Sequence, residues 1–190
     1  MEKITVGYAM TGSFCTFDKS LKEMSRLCAD GYELLPIMSE NAYMTSTRFG
    51  KARDIVAKVE DICQKSVIHT ISGAEPIGPK KLCDVLVVAP CTGNTLSKLA
   101  LGITDTPVAM AVKSQLRIGA PVLLCIASND ALGASAENIG KLLNRKNVYI
   151  VPVSQDDPEN KPNSLVADFS LIPSCVKLAI QRKQAQPIFR

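Results

Sequence analysis

Apolar positions recur along this chain with two alternating patterns. Short unbroken apolar runs, bounded by glycine, proline or small polar residues, read as strands covered on both faces, whereas apolar residues spaced three and four apart read as helices with one buried face. Ile4 to Ala9 is the first such run and predicts a strand. After the turn Met10-Thr11-Gly12-Ser13, the segment Thr16 to Asp30 puts Leu21, Met24, Leu27 and Cys28 on one face and stops before Gly31, which predicts a helix. Glu33 to Met38 predicts the second strand, placed near a sheet edge because Pro36 has no N–H to give a ladder. Ser39 to Gly50 is polar and reads as a flexible loop, and Ile55, Val56, Val59, Ile62 and Cys63 set a helix over Ala52 to Gln64.

Val85 to Ala89 predicts a central strand halted by Pro90, and the turn Cys91 to Asn94 feeds another helix. Val122 to Ala127 predicts the next strand, with Ser128-Asn129-Asp130 after it and a helix from Ala136 to Arg145. Val148 to Val153 predicts the last strand. Ser154 to Ser164, with two prolines and many charges, predicts an exposed loop. Pro173, followed by Val176, Leu178, Ala179 and Ile180, predicts a closing helix that runs into a frayed tail. Strands alternating with helices predict one α/β domain over residues 1–190, a Rossmann-like or flavodoxin-like doubly wound parallel sheet.

The bulk numbers agree with one folded domain. A chain of 190 residues buries a substantial core, and 46% apolar with 21% charged residues excludes the disordered regime. The net charge of +4 is spread without a long run, which argues against nucleic acid and membrane surfaces but suits a site for small anions. A phosphorylated cofactor and a dicarboxylate both qualify. The N-terminus lacks the layout of a signal peptide, and no apolar stretch is long enough to span a bilayer. Seven cysteines, with no C-x-x-C pair and a single histidine, read as thiols of a reducing cytoplasm and supply no metal site.

Candidate chemistry lies at the ends of the strands, where open parallel sheets bind ligands. Thr11-Gly12-Ser13, Ser39-Glu40-Asn41 and Thr92-Gly93-Asn94-Thr95 are rich in small hydroxyl and amide residues. Glycine lets backbone approach an anion, hydroxyls donate to phosphate oxygens, and free N–H groups at a helix start favour negative charge. Taken singly, such clusters are usually N-caps. The spacing of Gly7 and Gly12 matches neither G-x-G-x-x-G nor the lysine-bearing phosphate loop, so neither nicotinamide nor ATP is indicated for this chain. His69, in an apolar-polar alternation, reads as structural before catalytic, and Cys91, with no base in view, reads as a small packed residue before a nucleophile. Lys98, Lys113, Arg117, Lys51, Arg53 and Arg48 are possible partners for a carboxylate; Arg48 stands out by its place in the loop after Ser39.

The run from Ala89 to Asp105, APCTGNTLSKLALGITD, resembles the A-P-x-[ST]-x-[NK]-T-[LI]-x-K-[LI]-A-x-G-x-[AST]-D pattern of the flavoprotein family that contains cysteine decarboxylases and flavin prenyltransferases. The Thr-Gly-Ser turn, Ser39 and Asn129 follow in the family's order. The resemblance implies flavin mononucleotide (FMN) as cofactor, held by Thr11, Gly12, Ser13, Ser39, Pro90, Thr92, Gly93, Asn94 and Thr95. It also implies that Asn129 holds a substrate carboxylate. Glu75 to Lys80 and the ending from Asn163 resemble the flavin-binding subunits of the dipicolinate-forming synthases of spore-forming bacteria. That branch implies dehydrogenation of a dihydrodipicolinate-type precursor in the mother cell. Its implied partner is an NADP-binding A subunit, and its implied assembly is a homo-oligomer, a trimer or dodecamer. Pro76 stands where the family's decarboxylases place a histidine, and Ala127-Ser128-Asn129 where its prenyltransferases place an arginine. The alternatives are a decarboxylase-like activity and a non-catalytic stabilising subunit.

Overall fold

The computed structural model describes residues 3–190. The apolar runs become one sheet, in which β1 (Thr5–Met10), β2 (Glu33–Met38), β3 (Val85–Cys91), β4 (Val122–Ser128) and β5 (Val148–Ile150) are parallel in the order β2-β1-β3-β4-β5. β3 and β4 are buried at every position, which explains why their sequences show no alternation. β2 lies at the rim, as Pro36 requires. Ile68 runs beside it, its N–H donating to Pro36 O and its carbonyl accepting from Met38 N, both at 2.9 Å.

Among the described residues eight α-helices flank the sheet: α1 (Phe17–Ala29), α2 (Glu40–Met44), α3 (Ala52–Cys63), α4 (Ile71–Ala74), α5 (Gly93–Leu101), α6 (Pro107–Arg117), α7 (Ala136–Leu143) and α8 (Ile172–Ile180). α1 buries Phe17, Leu21, Met24 and Leu27, the periodic face read from the sequence. Thr106 caps α6 by accepting from Ala109 N at 3.1 Å, with Pro107 in the first turn. The order 2-1-3-4-5 reverses direction between β1 and β3, and such a reversal is where an open α/β sheet leaves a crevice for a ligand.

Four expectations are corrected. Pro90 does not end its strand: β3 continues to Cys91, with its register against β4 shifted between Val88 and Cys91. The loop after Ser39 contains α2, because the Ser39 hydroxyl accepts from Ala42 N at 3.3 Å and starts a helical turn. Val148 to Val153 is not a single last strand. β5 ends at Ile150, and the chain then forms a hairpin of β6 (Val153–Ser154) and β7 (Leu165–Ala167). β7 runs antiparallel to the end of β4, pairing Val166 with Ala127 and Leu165 with Ser128, so the seven-stranded sheet is mixed.

The fourth correction concerns the tail, which is docked rather than frayed. Gln184 Nε2 donates to Ile150 O at 2.6 Å and its Oε1 accepts from Ile150 N at 2.8 Å, so one side-chain amide completes the ladder of β5. Val153 N donates to Ile188 O at 2.8 Å, and Arg190 N donates to Val153 O at 3.0 Å. Gln184→Ala removes the partners of a buried N–H and a buried C=O, so the denaturant midpoint should fall with a loss of about 1–3 kcal/mol. An unchanged midpoint would show that the tail contributes nothing.

Candidate functional site

The crevice between β1 and β3 is assembled by Thr11, which is 1% exposed. Its hydroxyl donates to Pro90 O at 2.8 Å and accepts from Thr92 N at 3.1 Å, tying the tips of two strands together. Thr92 in turn caps α5: its hydroxyl accepts from Thr95 N at 3.3 Å and lies 3.1 Å from the Thr95 hydroxyl. The amides of Gly93 and Asn94 fall in the first turn, where helix geometry provides no carbonyl partner. Ser39 N donates to Met10 O at 3.0 Å, which sets the third tip beside the first. A Cβ added to Gly12 would stand 3.8 Å from Asn41 Cβ. The tips around Gly12, Ser39 and Asn94 therefore converge.

Gly93 and Gly12 differ in what their neighbours demand. A Cβ on Gly93 would stand 2.7 Å from Ser128 Oγ, 2.8 Å from Asp130 Oδ1 and 2.9 Å from Ser135 Oγ, so α5 fits against the turn after β4 only with glycine there. That turn is itself tied, because the Ser128 and Ser135 hydroxyls donate to Asp130 Oδ1 at 2.5 and 3.1 Å. At Gly12 the nearest atom would be Phe14 at 3.5 Å, which is ordinary contact. Protein packing gives no reason for glycine at that position.

Asn129 lies beside the first tip, in a cavity of about 210 Å³ that it shares with Ser13 of that tip and with Cys15, Lys19, Asp156 and Lys161. Asp156 and Lys161 leave no local mark in the sequence, since only the hairpin of β6 and β7 brings the charged loop 155–164 to the end of β4, and Lys19 reaches the same cavity from α1. Arg48 is not brought to Asn129. It is exposed and stands over the ring of Phe49, 4.8 Å from the centroid. Lys98 is committed elsewhere: its Nζ is 2.6 Å from both carboxylate oxygens of Asp105 and holds that carboxyl below the usual range. A larger hollow of about 700 Å³ between α2 and α3 includes none of the three tips, so size does not mark the site.

Cys91 is fully buried, and burial pushes its thiol up, the opposite of what a nucleophile needs. The same holds for Cys125. All seven cysteines are free. Titration with an aromatic disulfide reagent should therefore modify exposed Cys15 promptly in the native protein, and Cys91 and Cys125 only after denaturant is added. Rapid native modification of Cys91 would reopen a nucleophilic role. His69 stacks on Tyr43, with centroids 3.9 Å apart and planes 9° from parallel, next to the Ser39 tip. Pro76 lies in a 3-10 turn, Glu75–Ile77, that packs against α6.

The Flavoprotein family model matches residues 1–175. The B subunit of dipicolinate synthase from Bacillus subtilis (strain 168) is 43% identical over 183 residues, which cover 96% of this chain and 92% of that relative. The crystal structure of the dipicolinate synthase B subunit from Bacillus halodurans C superposes with a TM-score of 0.90 at 39% identity, covering 100% of this chain and 98% of that one. An FMN-dependent cysteine decarboxylase superposes with a TM-score of 0.68 at 19% identity, covering 94% and 97%, and shares the fold. With its crevice at the β1/β3 reversal and a family match running from the first strand into the last helix, this chain belongs to the Flavoprotein family.

Proposed function

We propose that this chain is the FMN-binding B subunit of a dipicolinate synthase. In this reading it takes part in dehydrogenating a dihydrodipicolinate-type precursor to dipicolinate during sporulation, together with an A subunit that carries NADP. The observation that carries the reading is the convergence of three donor-rich tips at the β1/β3 reversal, in a chain so similar to B subunits of that enzyme. The residues present suit a phosphorylated flavin. Ser13, Ser39 and Asn94 offer side-chain donors, and the start of α5 offers amides to an anion. Gly12 is glycine where no neighbour in the chain forbids a side chain, which fits close approach of a ligand to the backbone.

FMN when bound supplies a hydride acceptor. The chain's own part is to bind and to orient. Thr11 holds Pro90 and Thr92 so that Gly93, Asn94 and Thr95 face one ligand, and Asn129 receives a carboxylate of the substrate. Aromatisation of a dihydropyridine supplies driving force, so positioning is the main demand on the protein. A decarboxylase reading lacks the histidine of that chemistry, because Pro76 stands in its place and His69 is stacked on Tyr43. Among the described residues no helix is long and apolar enough to cross a membrane. The reading includes assembly as a trimer, or as a dodecamer built from trimers, in the cytoplasm of the mother cell.

The test is an absorption titration of the purified chain with FMN, followed by dipicolinate formation by the A subunit in its presence and absence. Flavin uptake and dependence of turnover on this chain are expected. No uptake, or equal turnover without the chain, overturns the reading; a colourless chain that still binds and stabilises the A subunit would establish the non-catalytic alternative. Gly12→Ala should weaken FMN binding about tenfold or more while leaving the denaturant midpoint nearly unchanged.

A further inference from the structure

The cavity beside Asn129 has two cationic walls. Lys19 enters from the first turn of α1, and Lys161 enters from the loop between β6 and β7. Lys19 has no ion-pair partner among the described residues. Lys161 has one: its Nζ is 3.3 Å from Asp156 Oδ2, and the two side chains are 50% and 37% exposed. A half-exposed pair of this kind adds little stability, so a ligand carboxylate can take the place of Asp156 with little loss to the fold.

The loop that carries Lys161 is firmly built. Asp156 Oδ1 accepts from the Ser164 hydroxyl at 2.8 Å, and Asp157 Oδ1 accepts from Asn160 N at 3.2 Å and Asn160 Nδ2 at 2.9 Å. Lys161 N donates to Asp157 O at 2.7 Å, and Leu132 N donates to Asn163 O at 3.0 Å, which ties the loop to the turn after Asn129. The Lys161 backbone therefore keeps its place while its ammonium changes partner. At about 210 Å³, the cavity has room for a small planar ring and its carboxylates.

We infer that Lys161, assisted by Lys19, is the specificity-determining group for the second carboxylate of a planar dicarboxylate whose first carboxylate rests on Asn129. Asp156 holds the ammonium in position until the ligand arrives. This inference rests on the dicarboxylate reading above and goes beyond it by naming the countercharge. Arg48 plays no part in it.

Calorimetric titration of the full chain, with and without FMN, against pyridine-2,6-dicarboxylate and pyridine-2-carboxylate tests the assignment. Lys161→Met should weaken the dicarboxylate about tenfold to a hundredfold while the monocarboxylate changes by less than about twofold. Lys161→Arg should restore most of the loss. Asp156→Asn keeps an acceptor for Ser164 and removes the competing charge, so it should tighten the dicarboxylate. Unchanged dicarboxylate affinity in Lys161→Met, or an equal loss for both acids, overturns the inference. Weakened FMN with unaffected riboflavin would also overturn it, by assigning the lysine to the cofactor phosphate. A wild-type chain that takes FMN but neither acid overturns it and leaves the flavin reading standing. Selective loss of the dicarboxylate in a chain that takes no FMN upholds it and removes the flavin.

Discussion

Gly78→Ala is expected to leave little folded protein. Gly78 N donates to Ser114 Oγ at 2.8 Å, and the same hydroxyl donates to Glu75 O at 2.6 Å, so the Glu75–Gly78 segment lies directly on α6. A Cβ at residue 78 would overlap the Ser114 carbonyl oxygen and stand 2.5 Å from its carbon. Those atoms belong to a helix backbone and cannot turn aside as a side chain would. The segment must lift, losing both hydrogen bonds and the packing of Ile77, which is fully buried. A loss of about 3–5 kcal/mol follows, most of the margin by which a domain of ordinary stability stays folded. Thermal unfolding followed by circular dichroism measures it. Gly140→Ala is the control: that glycine lies inside α7 with nothing within 4 Å of its added Cβ, and alanine there should stabilise by about 0.5–1 kcal/mol. Equal melting temperatures for the two variants would show that the contact at Gly78 relaxes freely.

Thr11→Val should separate the tips without disturbing the shape of β1. Valine fills the same space and strands the Thr92 amide, while Pro90 O retains the Thr11 amide at 3.2 Å. A half-buried donor that loses its partner corresponds to about 1 kcal/mol of stability. The larger effect is on the ligand. The turn that presents Gly93, Asn94 and Thr95 loses its tie to β1, and FMN affinity should fall by about a hundredfold, since a site is only as good as its support. Thr11→Ser keeps the hydroxyl and should restore both properties. Denaturant midpoints and FMN titrations on the three proteins check this, and full affinity in Thr11→Val would remove Thr11 from the site.

Much of the architecture is legible in the sequence because burial on two faces leaves a local mark. Val85 to Ala89 and Val122 to Ala127 could hardly be anything but central strands, and Glu33 to Met38 matches its strand end to end. The places that mislead share a cause. Pro90 reads as a stop by its missing N–H, yet β3 tolerates it where the register against β4 shifts. The tail beyond Ile180 has no periodic apolar face, and what docks it is a side-chain amide on the Ile150 backbone together with backbone hydrogen bonds to Val153, contacts that leave no periodic trace. Arg48 stands out by its nearness in sequence to Ser39, whereas its own ring partner, Phe49, keeps it outward.

The order of residues by itself determined the main strands and helices and which loop tips are rich in donors, because each depends on neighbours a few positions away. The tertiary structure alone decided that Thr11 meets Pro90 and Thr92, 79 and 81 positions distant, and that β7 rather than β5 flanks the end of β4. From that second choice comes the meeting of Lys161 with Asn129. The reason is physical: strand order and pairing are set by how whole layers share one core, and no short window of sequence contains that competition.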